Sequence, residues 1–269
     1  MPYLLYHVDA FTTTPFAGNP AAVCLLPHPR EPDWMQSVAA EMNLSETAFV
    51  RPQSDGSYQL RWFTPTHEVD LCGHATLAGA HVLWRDGFAP LKTPVRFDTA
   101  SGCLTAQREG EWIRLDFPAE PVEPTEAPRA LLDGLHMEAP VAVGWSGRDY
   151  LVHLATPAAV RSLAPEMSTL ATLDDTRGVI VTAPADTDDA DFVSRFFAPR
   201  VGVPEDPVTG SAHCALGPYW AGQTGRTSLT GRQVSARGGT VRVRLDAPDA
   251  ERLTIAGRAT TVVRGRLDA

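Results

Sequence analysis

Three short stretches of this 269-residue chain carry side chains able to hold a ligand or move a proton. The first is Asp70-Leu71-Cys72-Gly73-His74-Ala75-Thr76, where a thiol and an imidazole flank a glycine at the head of an apolar run. Glycine lets the backbone come close to a ligand, and the free amides of a helix's first turn favour an anion. A buried cysteine beside a helix-capping histidine would read the same way. The second stretch is Glu205-Asp206-Pro207-Val208-Thr209-Gly210-Ser211-Ala212-His213. Asp206 precedes a proline, and Thr209, Gly210 and Ser211 stand where a helix should start, making a second anion-binding turn; ordinary N-capping by Thr209 or Ser211 is the plainer alternative. Two such turns could hold a carboxylate by backbone amides without any arginine. The third stretch, Asn43 to Val50, sets Glu46 between a helix and an apolar strand. Partial burial there raises a glutamate above its reference of ~4.3, toward the range useful for general acid–base catalysis. A surface carboxylate at a strand start is the competing explanation.

Other chemistries fit less well. Ser211 lacks the second glycine of a nucleophile elbow. Cys72, His74, His213 and Cys214 do not have the usual spacings of zinc ligands. Neither a P-loop nor a dinucleotide fingerprint occurs, so no cofactor and no metal is expected.

The elements that must position these groups are laid out twice in sequence. Arg61-Trp62-Phe63-Thr64-Pro65 aligns with Arg195-Phe196-Phe197-Ala198-Pro199 at an offset of 134, and without gaps Cys72 then falls opposite Asp206. Strand-like runs dominate: Tyr3 to Phe11, Ala21 to Leu26, Glu46 to Val50 and Ser57 to Phe63, then three more between Val95 and Phe117. Turn residues between them suit hairpins and antiparallel sheet. Further strands are expected at Val141 to Trp145, Tyr150 to Leu154, Gly178 to Ala183 and Asp191 to Ala198, with three more beyond Thr240. Residues 119–128 alternate proline with glutamate and read as a linker between domains at 1–118 and 129–269. The last strand is a candidate to pair back with the first domain. Asp33 to Met42 reads as a surface helix with one apolar stripe. The runs after Cys72 and Asp206, Ala75 to Trp84 and Ala212 to Ala221, are uncharged on every side. Such helices are buried all round, which implies a curved sheet wrapped about each. Pro218 should kink the second, because it removes a donor and crowds the carbonyl of Cys214.

Composition bounds the remaining possibilities. A hydrophobic content of 43% supports a globular core. A net charge of −9 with pI near 5.3 argues against broad nucleic-acid or anionic-membrane binding. The first residues carry no basic leader and no long apolar segment, so a cytoplasmic protein with free thiols at Cys24, Cys72, Cys103 and Cys214 is expected.

At its motifs the sequence resembles the PhzF-like phenazine-biosynthesis family, within the diaminopimelate epimerase-like superfamily. The matching text is Val8 to Phe11, Phe16 to Val23, Ser45 to Phe49, Arg61 to Pro65, Cys72 to Thr76, Asp206 to Ser211 and the closing Thr260 to Leu267. The resemblance implies an α/β (α+β) fold of two pseudo-symmetric domains, each a curved, mostly antiparallel sheet round a central helix. It also implies a homodimer and an isomerase of a small carboxylate, of the trans-2,3-dihydro-3-hydroxyanthranilate type, working without metal or organic cofactor. Glu46 matches the acid/base that takes a proton from one carbon and returns one to another; His74 and Asp206 match residues that assist it. Asn19, Cys72, Gly73, Thr209, Gly210 and Ser211 match substrate-binding positions. Epimerases of the superfamily use two thiols; here Cys72 matches the first, and Asp206 stands at the second. An epimerase or racemase using Cys72 against a carboxylate, and a non-catalytic carboxylate-binding protein, are the alternatives.

Overall fold

A computed structural model describes residues 2–268. The chain divides into two compact units, Met1–Asp116 with Ala256–Ala269, and Phe117–Ile255. The final strand returns to the first unit, so that unit is built from both ends of the chain.

The first unit begins with β1 (Tyr3–Ala10) and β2 (Asn19–Leu25), followed by α1 (Pro32–Met42), β3 (Glu46–Pro52), β4 (Tyr58–Phe63) and β5 (Glu68–Val69). Then come α2 (Gly73–Arg85), β6 (Val95–Thr99), β7 (Gly102–Glu109) and β8 (Trp112–Pro118). Strand β18 (Ala259–Leu267), numbered last in chain order, pairs antiparallel with β1, Tyr3 opposite Leu267 and Ala10 opposite Ala259. From β1 the ladder continues antiparallel to β2, parallel to β3 and antiparallel to β4. It goes on parallel to β6 and antiparallel to β7 and β8, with β5 folded antiparallel onto β4. Helix α1 follows the expected stripe: Met35, Val38 and Ala39 are buried, against a cluster that includes Tyr3, Cys24, Phe49 and Phe63. Helix α2 packs against β1, β2, β3, β7 and β18, so the strands surround it. Ten of the eleven residues from His74 to Trp84 are buried, His81 being the exception, as a helix without a charged face requires.

The second unit contains β9 (Glu123–Pro124), α3 (Arg129–Gly134), β10 (Ala142–Trp145), β11 (Asp149–His153), α4 (Pro157–Ser162), α5 (Met167–Leu170), β12 (Gly178–Pro184) and β13 (Phe192–Ala198). These are followed by β14 (Val203–Asp206), α6 (Gly210–Thr224), β15 (Ser228–Gln233), β16 (Gly239–Leu245) and β17 (Arg252–Gly257). Its ladder repeats that of the first unit in order and sense. From β10 it runs antiparallel to β11, parallel to β12 and antiparallel to β13. Then it is parallel to β15 and antiparallel to β16, with β14 folded onto β13. In β16, Val241, Val243 and Leu245 point inward while Arg242 and Arg244 are exposed, the period of a strand covered on one face. Helix α6 lies on that face so closely that a Cβ on Gly217 would fall 2.6 Å from Val243 Cγ1. Glycine is the residue that permits this approach.

Two sequence expectations change in detail. The linker is not wholly irregular: Glu123 and Pro124 pair antiparallel with Trp145 and Gly144, which suits an exposed edge strand that tolerates proline. The helix starts, Gly73 and Gly210, are 137 positions apart rather than 134, because a 3-10 turn at Pro199–Val201 lengthens the second connection. The position equivalent to Cys72 is therefore Thr209, not Asp206. Helix α6 does run through Pro218, and the carbonyl of Cys214, deprived of its usual partner four residues on, accepts instead from the Glu120 backbone N–H at 2.9 Å.

Candidate active site

In β3, Glu46, Ala48 and Val50 share one face, and Val50 Cγ2 lies against the backbone of α2 at Gly79, where an added Cβ would sit 3.5 Å away. That alternation turns the Glu46 carboxylate toward the same helix. At its head, Cys72 is the N-cap residue in extended conformation and makes no side-chain cap bond. The first amides of α2 thus lack a side-chain cap, as an anion site needs. His74, second in the helix, is buried between the other two groups. Its Nε2 lies 3.1 Å from Glu46 Oε2, and its Nδ1 lies 3.4 Å from Cys72 Sγ. Thr76 tightens the turn by donating its hydroxyl to the Cys72 carbonyl at 2.6 Å. Asn19, buried at the head of β2, stands two residues before Ala21, which pairs with Glu46.

Electrostatics couples these groups. Burial alone would push the His74 imidazole down, but the neighbouring Cys72 sulfur and Glu46 carboxylate outweigh it and hold His74 well above the usual histidine value. The Cys72 thiol is itself pushed up, by burial first and by Glu46 next. Cys72 and His74 therefore titrate as a coupled pair. An imidazolium donates from both nitrogens. His74 Nε2 is the ring atom nearer the carboxylate and Nδ1 the one nearer sulfur. The cluster can pass a proton along a line of three groups.

Among the described residues, Glu46, Cys72 and His74 could each offer one atom to a metal ion, all within 4.8 Å of one another. The observed contacts use opposite ring nitrogens of His74, whereas a single ion takes one nitrogen per histidine.

The second unit holds the remaining sequence-derived candidates. Thr209 is the N-cap of α6, again extended and again without a side-chain cap bond; its hydroxyl instead donates to Asp206 Oδ2. Gln233 ties this turn down, accepting from the Thr209 backbone N–H at 2.9 Å and donating to the Asp206 carbonyl at 2.7 Å. Gly210 and Ser211 open the helix. An arginine adjoins the turn: Arg177 Nη1 donates to Ser211 Oγ at 2.7 Å while the side chain pairs with the buried carboxylate of Asp149. Attraction to Asp206 also bears on Arg177. Sequence reasoning missed Arg177, Asp149 and Gln233. The one signal for Gln233 was its place at the end of a short run before a turn.

A family model described as phenazine biosynthesis-like protein (PhzC-PhzF) matches residues 8–265. The chain belongs to this family. An uncharacterized isomerase of Halalkalibacterium halodurans is 50% identical over 264 residues, covering 98% of this chain and 97% of that protein. The crystal structure of a phenazine biosynthesis protein of the PhzF family from Enterococcus faecalis superposes with a TM-score of 0.94 at 40% identity, each chain covered in full. A hydroxyproline epimerase from Agrobacterium vitis shares the fold at a TM-score of 0.63 and 13% identity, over 99% of this chain and 92% of that one. The fold expected from the family resemblance is the one observed. Among the described residues no helix is long and apolar enough to cross a membrane.

Proposed function

We propose that this member of the phenazine biosynthesis-like family is an isomerase of a small carboxylate, in which Glu46 takes a proton from one atom of the substrate and returns one to another. The observation that carries the reading is the 3.1 Å contact between Glu46 and the buried His74, held well above the usual histidine value, on the uncapped first turn of α2. A carboxylate held there can accept a proton from carbon while His74 offers hydrogen to the charge that develops next to it. Cys72 and Gly73 line the same turn and contribute to binding. Asp206, Thr209, Gly210 and Ser211 are assigned to the same substrate on the strength of the resemblance, with Asp206 assisting proton movement. The substrate class proposed is a cyclic amino or hydroxy carboxylate of the trans-2,3-dihydro-3-hydroxyanthranilate type, turned over without an organic cofactor by a homodimer.

The test is Glu46→Gln, which keeps shape and removes the base. Turnover of trans-2,3-dihydro-3-hydroxyanthranilate, or deuterium uptake across a panel of cyclic carboxylates, should drop by ~10²–10⁴-fold. Parent-rate turnover in the variant would overturn the assignment.

One observation favours a second reading. Cys72 sits 3.4 Å from His74, close enough for its thiol to act in inversion at a carbon. A matching second thiol is not at hand in the second unit's turn: Cys214 is buried in the body of α6 and its thiol is pushed up by that burial. An epimerase would thus have to work with a thiol against a carboxylate. Loss of solvent α-proton exchange in Cys72→Ser, with Glu46→Gln still active, would favour it.

A further inference from the structure

The Arg177 side chain is fixed by three different elements of the second unit. Its Nε donates to Asp149 Oδ1 of β11 at 3.0 Å, and its Nη2 to the other oxygen of that carboxylate. The guanidinium lies 5.0 Å from the centre of the Phe196 ring in β13. Its Nη1 reaches Ser211 Oγ in the first turn of α6 at 2.7 Å. The backbone is tied as well, through the Arg177 N–H to the Arg148 carbonyl at 2.7 Å. Asp149 is fully buried, so breaking its pair with Arg177 would strand a charge away from water.

Hydrogen-bond polarity then decides what Ser211 can do. A guanidinium has five N–H groups and no acceptor, whereas a hydroxyl has one hydrogen and two lone pairs. Ser211 Oγ must accept from Arg177, so its own hydrogen is turned away and left to donate. The backbone amides at the head of α6, uncapped by any side chain, are donors too. Asp149 offsets the positive charge of Arg177, so what reaches the turn is chiefly this orientation of the hydroxyl. A carboxylate can use every donor offered. A carboxamide of the same shape turns an NH₂ group, which cannot accept, toward those donors, and a polar group left unpaired costs affinity.

We infer that Arg177 is a positioning residue acting through Ser211: it holds that hydroxyl as a donor, so that the α6 turn takes a carboxylate in preference to the isosteric carboxamide. The inference rests on the proposed reading of this turn as a carboxylate-binding site.

Calorimetric titration with 3-hydroxyanthranilate and with 2-amino-3-hydroxybenzamide measures the preference directly. The parent should bind the carboxylate about tenfold or more tighter, the worth of one charge-assisted hydrogen bond. Arg177→Met with Asp149→Leu removes both charges at similar volume and keeps the unit folded, as circular dichroism would verify. In that variant the ratio should fall about tenfold. Ser211→Ala should lower it by a similar factor, and combining it with the Arg177 and Asp149 changes should lower it no further, since both act on one hydroxyl. A ratio unchanged in the charge-free variant overturns the role of Arg177 while leaving the proposed function intact. A parent that binds neither probe, or both equally, overturns the carboxylate turn and this inference together.

Discussion

Acid should destabilise this protein through His213, and the size of the effect can be worked out. His213 is fully buried in α6, and burial depresses its imidazole from the ordinary 6.5 to about 4. Its Nδ1 lies 2.8 Å from the Thr209 carbonyl, which can only accept, so Nδ1 carries the hydrogen and Nε2 is a buried lone pair without a partner. Protonating Nε2 there would bury an uncompensated charge. Unfolded, the ring binds a proton below its ordinary value; folded, it resists down to the depressed one. The stability it lends is therefore complete above about 6.5 and is lost as pH falls toward about 4. With 1.36 kcal/mol per pKa unit, the loss reaches about 2 kcal/mol at about pH 5 relative to about pH 7.5. Asparagine places an N–H donor near Nδ1 and cannot be protonated. Urea unfolding followed by circular dichroism at the two pH values, for the parent and for His213→Asn, gives the comparison. The parent should lose about 2 kcal/mol more than the variant between them. His81, also depressed to about 4 by burial, contributes equally to both proteins and drops out. Equal pH dependence in the two proteins would refute the buried, neutral imidazole.

Three further outcomes are expected. Gly231→Ala would drive a Cβ to 2.5 Å from the Phe192 ring and 2.8 Å from His213 Nε2, so urea unfolding should show a loss of about 1–3 kcal/mol. Asp149→Asn leaves the Arg177 guanidinium without its carboxylate and should destabilise by about 3–5 kcal/mol, read in the same titration. Glu46→Gln removes an anion that raises His74, so the His74 ring signals should titrate at lower pH by NMR than in the parent. Because His74 is raised when folded, the stability it contributes is complete below about 6.5 and fades as pH rises through the folded value; the variant should show less of that alkaline dependence, Cys72 still raising the ring.

What was legible in the sequence was what local pattern dictates. Cys72 and His74 stood out because a glycine between reactive groups, set before an uncharged helix, marks a helix start near a ligand, and Glu46 because it stands between a helix and an apolar strand. The twofold layout was visible in the two aromatic strands β4 and β13. Its exact register was not, since three residues of a 3-10 turn have no signature that a gapless comparison can detect. Strand β15 escaped notice because Ser-Leu-Thr-Gly-Arg-Gln alternates a leucine, a glycine and a buried glutamine on its inner face, too little apolar surface to register as a period. Arg177 was illegible for a different reason. Its partners lie 28 and 34 residues away, and nothing in Thr176-Arg177-Gly178 separates a guanidinium locked by tertiary structure from one in solvent.

The corrected register sharpens the division of labour between the two repeats. Gly73 corresponds to Gly210, Cys72 to Thr209 and His74 to Ser211. Both turns retain the uncapped extended residue and the opening glycine, the features that present backbone donors to an anion. The side chains at matching positions differ in kind. The first turn carries a thiol and an imidazole, coupled to each other and to a carboxylate, whose protonation changes with their neighbours. The second carries two hydroxyls that do not ionise near neutral pH; one is committed to Asp206 and the other is held by an arginine. One copy thus carries titrating groups at its repeated positions and the other carries hydroxyls. Of the second turn's groups, Asp206 alone is an exception, and it sits three residues before the cap, outside the repeated positions. A substitution that puts histidine at position 211 should therefore add a titrating group without rescuing Glu46→Gln, because the carboxylate beside His74 has no counterpart in that turn's repeated positions.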